Sequence, residues 1–382
     1  MKIFYGRQFI DKYDIENIVK ASKSEKITQG HFVSKFENSL KLYFKSKYCS
    51  VVSNGTAALY LSIKSLGLKK NSKIILSPNT FFSSVYSTIM NNLLPDFSDI
   101  EQQTYNLDLN KLEDKIKKDK KVKAVIAVDY AGHPCDWKSL FFLKKKYNIH
   151  LINDNCHSMG SRINKNVGYA ARYADLVTQS YHPVKNFTTG EGGSILTNNF
   201  LLSKKIAKLR NHGMERSPEL SKKYGNWFYK VNDYGFNFRI SDILCALGIS
   251  QLKKLKKFIK KRNEISRIYN KNLTNYDFIK TPVVLKNYNH SFHLYPLLIN
   301  FKKLKISKKI FFENMQKSDI YLQVHYIPVH SQPFLKKYGF SKGQFPISES
   351  FYDQEVSLPI HYSLDKKKIE YILYNLKKYL KL

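Results

Sequence analysis

Acidic residues are scarce in this chain. Its 382 residues carry 30 Asp and Glu against 64 Lys and Arg, a formal net charge of +34. Such an excess raises an acidic partner: nucleic acid, an anionic membrane, or a phosphate-bearing small molecule. Nucleic acid is not the expected one, because no zinc-finger spacing or recognition module accompanies the charge. The lysines are also dispersed. Lys253, Lys254, Lys256, Lys257, Lys260 and Lys261 are mixed with apolar residues along one helical stretch, which reads as a solvated surface. A compositional bias of the source genome toward Lys, Asn, Ile, Tyr and Phe would give the same pattern. Cysteine is thin as well. Cys49, Cys135, Cys156 and Cys245 form no C-x-x-C pair and no metal-ligand spacing with histidine, so neither a metal site nor a disulfide framework is expected, and a reducing cytoplasm is the simplest home. No apolar run approaches the ~18 residues of a membrane span, and the segment Met1 to Arg7 meets charge at once, so neither secretion nor a membrane partner is expected. Internal repeats and low-complexity segments are missing too.

What is present is a chain 43% hydrophobic, enough for a large core and for two domains. Short runs rich in Val and Ile at Ser50 to Ser53, Lys73 to Leu76, Ala124 to Val128, His150 to Asn153 and Ser194 to Thr197 read as buried parallel strands. Helical stretches lie between them, Thr56 to Leu66 and Asp136 to Tyr147 among them. This alternation predicts a large three-layer α/β/α domain. After Arg239 it gives way to a long helix, Ser241 to Asn270, and then to mixed strands and helices. The chain is therefore expected to divide into residues 1–240 and a smaller α+β domain, 241–382. The segment before Thr28 would lie across a neighbouring part of the fold or a second subunit.

Chemistry concentrates in four places. Ser180 to Gly193 is a polar, glycine-rich stretch between two expected strands, and it holds one lysine, Lys185. A partly desolvated amine there would have a lowered pKa and would form a Schiff base with an aldehyde, although taken alone it is one surface lysine among many. The strand His150 to Asn153 runs into Asp154, which falls at the carboxyl end of a parallel strand, where α/β folds place ligands. In a pyridoxal 5′-phosphate (PLP) site such a carboxylate would pair with the pyridinium nitrogen, with His157 beside the ring. The alternatives are a helix cap for Asp154 and a packed histidine for His157. Ser53-Asn54-Gly55-Thr56-Ala57 ends a strand and opens a helix, which suits a phosphate, though the same residues make an ordinary helix N-cap. The spacing and lysine of a P-loop are missing. Phe81 follows the next strand, placed either to cover a cofactor ring or to fill the core.

Together these motifs resemble the DegT/StrS-type sugar-nucleotide aminotransferases. The resemblance covers nearly the whole chain: Ile27 to Gly30, Ser53 to Leu59, Asp154 to His157, Ser180 to Gly193 and Gly235 to Arg239 occur in the family's order. It implies the aspartate aminotransferase-like fold type I and PLP as cofactor. It also implies Lys185 as the Schiff-base lysine, Asp154 on the pyridine nitrogen, His157 near the ring, and Phe81 stacked on it. Thr56, Ala57 and Ser180 would bind phosphate, and Asn237, otherwise a turn residue, would reach the phosphate of the neighbouring subunit in a homodimer. The runs Val128 to Cys135, Tyr181 to Lys185, His290 to Tyr295 and Gln323 to His330 are similar to the family branch serving pseudaminic acid biosynthesis. That implies L-glutamate as donor and a UDP-linked 4-keto-6-deoxy-N-acetylhexosamine as acceptor. His325 and Tyr326 would then line the sugar or nucleotide pocket, or be plain strand residues. Arg239 would bind a phosphate or carboxylate, or make a structural salt bridge. Asn153 and Asn155 depart from the Glu and the Ala or Ser of many relatives, which leaves the surroundings of Asp154 open. Other readings are a 4-aminotransferase of the bacillosamine or perosamine type and a non-catalytic basic binding protein. Lys185 speaks against a sugar 3-dehydratase, which usually carries histidine there.

Overall fold

The computed structural model describes residues 2–382. Seven strands form the central sheet: β1 (Tyr48–Val52), β2 (Lys73–Leu76), β3 (Leu94–Phe97), β4 (Val122–Val128), β5 (His150–Asp154), β6 (Leu176–Ser180) and β7 (Gly193–Thr197). Their order is β1-β7-β6-β5-β4-β2-β3. Every strand runs the same way except β7, which is antiparallel to both neighbours. This corrects the expectation of a parallel strand at Ser194 to Thr197. Either direction buries both faces of such a strand, so its apolar run does not reveal which one applies.

Successive side chains of these strands point to opposite faces, and each face has its own core. Val125, Ala127 and Leu151 pack on one side with the helices His31–Phe44 and Trp137–Tyr147. Ala124, Ile126 and Ile152 pack on the other with the helix Gly55–Leu66 and with Val85 of the helix Ser83–Met90.

In chain order, the helices the site depends on are α1 (His31–Phe44), α2 (Gly55–Leu66), α3 (Ser83–Met90), α4 (Trp137–Tyr147) and α5 (Asp242–Leu273). Helix α5 joins two cores. Cys245, Ile249, Leu252 and Leu255 belong to the sheet's core, whereas Ile265, Tyr269 and Leu273 belong to a second one. That second core lies against an antiparallel sheet of β8 (Ile279–Lys280), β9 (Tyr295–Ile299) and β10 (Glu355–Leu358).

The N-terminal segment packs against other parts of its own chain. Ile3 and Phe4 pair in parallel with Ile320 and Tyr321, which puts Ile3 in the second core. The helix Lys12–Ser22 is held to α5 by the buried Asp14, which accepts from Gln251 Nε2 at 2.8 Å and Lys254 Nζ at 2.7 Å. Lys254 is thus an exception to the solvated lysine surface. Among the described residues no helix is long and apolar enough to cross a membrane.

Candidate active site

The carboxyl ends of the parallel strands open into a cavity of about 700 Å³. Asp154, the last residue of β5, pairs with Val128 and Thr178 on the neighbouring strands. Its carboxylate accepts from the Cys156 N–H at 3.2 Å and from Ser84 Oγ at 3.3 Å. The residues on either side of it point the other way. Asn153 Nδ2 donates to Asp129 at 3.0 Å and Asn155 Nδ2 at 3.4 Å, and Ser158, Tyr169 and the Trp137 indole donate to the same buried carboxylate. Strand alternation therefore separates the two unusual asparagines from the cavity side of Asp154.

Lys185 enters from the loop between β6 and β7. That loop is closed by Tyr181 N–H to Gly192 O at 2.8 Å, and Tyr181 O accepts the Thr188 hydroxyl at 2.7 Å and the Thr189 N–H at 3.0 Å. Desolvation in the cavity holds the Lys185 ammonium below the ordinary lysine range, against the pull of Cys156 and Asp154. His157 is buried, and burial, with the Lys185 cation and His325 adding to it, holds its pKa well below the usual value. Its Nδ1 accepts the Ala131 N–H at 3.3 Å, so Nε2 carries the proton and donates to Tyr326 Oη at 2.9 Å.

Beyond Ser53 the chain turns into α2. Asn54 caps the helix, its side chain accepting the Ala57 N–H at 2.8 Å. The N-cap reading and the cavity reading therefore hold together: Asn54 uses the Ala57 amide, and Gly55, Thr56 and Ser180 line the cavity. Phe81 stands 62% exposed at the cavity, which removes the core reading, and its ring lies 6.0 Å from that of Tyr326.

His325 and Tyr326 also line the cavity, while Ala57, Asn237 and Arg239 do not. Asn237 is exposed and bridges to Asn211. Arg239 donates to Asn211 Oδ1 beside a separate cavity shared with Glu37 and Arg210, and makes no salt bridge there. Several site residues escape sequence reasoning. Ser84, buried behind the cavity where it donates to Asp154, lies three residues past Phe81. His293, its ring 4.6 Å from that of His157, lies within the run His290 to Tyr295. Tyr5 has no local signal at all, because only the fold brings it there.

A model of the DegT/DnrJ/EryC1/StrS aminotransferase family matches residues 8–377. The chain belongs to this family. It is 36% identical over 374 residues to the UDP-4-amino-4,6-dideoxy-N-acetyl-beta-L-altrosamine transaminase of Campylobacter jejuni, covering 97% of this chain and 95% of that protein. Among solved structures it is similar to PseC of Helicobacter pylori, an aminotransferase of pseudaminic acid biosynthesis, with TM-score 0.91, 28% identity and full coverage of both chains. It is also similar to the Streptococcus pneumoniae protein Spr1654 in its PLP form, with TM-score 0.90 and 25% identity over 100% of this chain and 99% of that one. The architecture is thus fold type I, the aspartate aminotransferase-like fold.

The residues present fit PLP. The N–H groups of Gly55 and Thr56 stand at the open end of a helix, where an anion is favoured, and Ser180 adds a hydroxyl. The approach is close enough that a Cβ on Gly55 would fall 2.8 Å from Ser180 Cβ. A phosphate cradle, a lysine amine and a strand-end carboxylate are the three features that cofactor needs.

Proposed function

We propose that this aminotransferase moves the amino group of L-glutamate to C4 of a UDP-linked 4-keto-6-deoxy-N-acetylhexosamine. The products are 2-oxoglutarate and UDP-4-amino-4,6-dideoxy-N-acetyl-β-L-altrosamine, an intermediate of pseudaminic acid biosynthesis. The observation that carries this reading is the convergence of Lys185, Asp154 and the Gly55–Thr56–Ser180 cradle in one cavity. The similarity to the Campylobacter jejuni transaminase and to PseC supports the choice of sugar.

Bound PLP supplies an electron sink for the carbanion adjacent to the transferred nitrogen. The chain's own residues do the rest. Desolvation favours the neutral Lys185 amine, which would hold the cofactor at its aldehyde carbon and, when free, would move a proton at the donor α-carbon or at sugar C4. Asp154, oriented by Ser84 and the Cys156 N–H, would pair its carboxylate with the ring nitrogen. His157 is held neutral by burial and oriented by its bond to Tyr326, which would set it beside the cofactor ring, and Phe81 would stack on that ring. Thr56 and Ser180 would hold the phosphate. Ala57 contributes by locking the turn through Asn54. His325 and Tyr326 face the sugar. Asn237 and Arg239, away from the cavity of their own chain, belong in this reading to the side that meets a second subunit, where Asn237 completes the neighbouring site. A cytoplasmic location completes the proposal and agrees with four free cysteines.

The test is absorbance spectroscopy of the protein with PLP and of Lys185→Ala. Glutamate should bleach the visible band and the UDP-linked keto sugar should restore it, whereas Lys185→Ala should never form the lysine-bound band. A wild-type band that glutamate bleaches but only a GDP-linked keto sugar restores would replace the proposed acceptor with one of the perosamine type.

A further inference from the structure

His325 is buried, lines the cavity, and has one ring nitrogen engaged: Nδ1 lies 2.8 Å from Ser357 Oγ. Ser357 donates in turn to Glu355 Oε1, and Glu355 Oε2 accepts the backbone N–H of His325 at 2.9 Å. Glu355 and Ser357 are both fully buried on β10. The His325 carbonyl accepts the Tyr130 hydroxyl, so the residue is pinned through its backbone as well as its ring.

This run of contacts has a direction. A serine hydroxyl has one proton and a carboxylate only accepts, so Ser357 gives its proton to Glu355 and must accept from His325. Nδ1 therefore carries the imidazole proton, and Nε2 is left as a lone pair.

We propose that Glu355 and Ser357 are positioning residues that present His325 Nε2 to the cavity as a hydrogen-bond acceptor, so that His325 selects a sugar carrying a donor there, a ring hydroxyl or an acetamido N–H. The proposal rests on the sugar-aminotransferase reading and adds a recognition element to it. A ligand that offers an acceptor at that point meets a lone pair and loses its hydration without replacement, which is how a polar site discriminates most strongly.

The near-isosteric Glu355→Gln is the sharpest probe. Its carbonyl must stay opposite the His325 N–H, which turns its amide N–H toward Ser357. Ser357 then gives its proton to Nδ1, and Nε2 becomes a donor. In the full-length protein with PLP, ¹⁵N NMR of the histidine rings reports the tautomer directly, with His325 assigned by the signal lost in His325→Gln. At pH 8, where Glu355 is ionised, wild type should show protonated Nδ1 and bare Nε2, and Glu355→Gln the reverse. In the half-reaction that restores the visible band, the half-saturating keto-sugar concentration should rise about tenfold or more in both Glu355→Gln and Ser357→Ala. That for glutamate should stay within about twofold of wild type. A protonated Nε2 in wild type at pH 8, or a reversed ring with unchanged sugar half-saturation, overturns the proposal. If wild type restores no band with any keto sugar, the functional reading fails, while the tautomer is still decided by NMR.

Discussion

Glu355 makes the residue scale testable by pH. Burial pushes its carboxyl up to about 7, against the Ser357 hydroxyl, the His325 N–H and the Lys308 cation. The groups that face it hold their state in the same window. His325 is held down to about 3 by burial and the Lys185 cation, and burial raises Tyr130 and Tyr326 well above the phenol range. Lys308 is lowered by burial, with Glu355 and Asp353 pulling it back up. Below about pH 7 Glu355 gains a proton and donates to Ser357, which reverses the polarity at His325 Nε2. The sign follows: keto-sugar half-saturation should rise about tenfold from pH 8 to pH 6, as the competent fraction falls through the carboxyl pKa. In Glu355→Gln it should be high and flat across that range. A wild-type profile without this limb would detach Glu355 from sugar binding. Lys185 and Asp154 were legible in the sequence because a loop and a strand end announce them. The Glu355–Ser357–His325 run was not. Its members lie about 30 positions apart and meet only because Gln323 bridges to Ser357 in the folded chain.

At the scale of elements, Asp242 does for one helix what that helix cannot do for itself. The N-cap of α1 is Gly30, which has no side chain to accept the first free N–H groups. The buried carboxylate of Asp242, at the start of α5, accepts from Gly30 N–H and Phe32 N–H at 2.8 Å and from Val33 N–H at 3.2 Å. Asp242→Ala strips the acceptor from three N–H groups and should cost about 2–4 kcal/mol, read as a lower urea midpoint, with Asp242→Asn losing less. A loss below about 1 kcal/mol would mean that water caps the helix equally well. This contact also explains why Ile27 to Gly30 and the segment after Arg239 belong together, since Thr28 bridges to Ser241. Two strands show why some elements went unread. Leu94–Phe97 carries Pro95 and a half-buried Asp96 at the sheet's edge, a composition that does not resemble a core strand. Leu176–Ser180 is central but polar, and its Thr178 and Gln179 are buried among hydrogen bonds, Gln179 Nε2 donating to Asn155 at 3.1 Å. Apolar periodicity cannot find a strand whose inward residues are hydrogen-bonded.

At the scale of the molecule, the order of motifs along the chain carried more than any single motif. Each of Lys185, Asp154 and Thr56 has an ordinary structural explanation, and only their joint placement at the carboxyl ends of parallel strands makes a site. What order cannot supply is the partner chain. Asn237 is exposed and outside the cavity of its own chain, so the proposed homodimer is what would give it a phosphate to bind. Complementation tests this without a structure of the dimer. Lys185→Ala and Asn237→Ala chains should each be nearly inactive alone at limiting PLP. In a mixed dimer one site holds both lesions, and the other holds intact Lys185 together with intact Asn237 from the partner. Random reassembly of equal amounts makes about half the dimers mixed, each with one working site, so activity should recover to about a quarter of wild type. If each chain instead completed its own site, the mixture would never exceed the sum of its parts, and Asn237 would lose its place in the proposed mechanism.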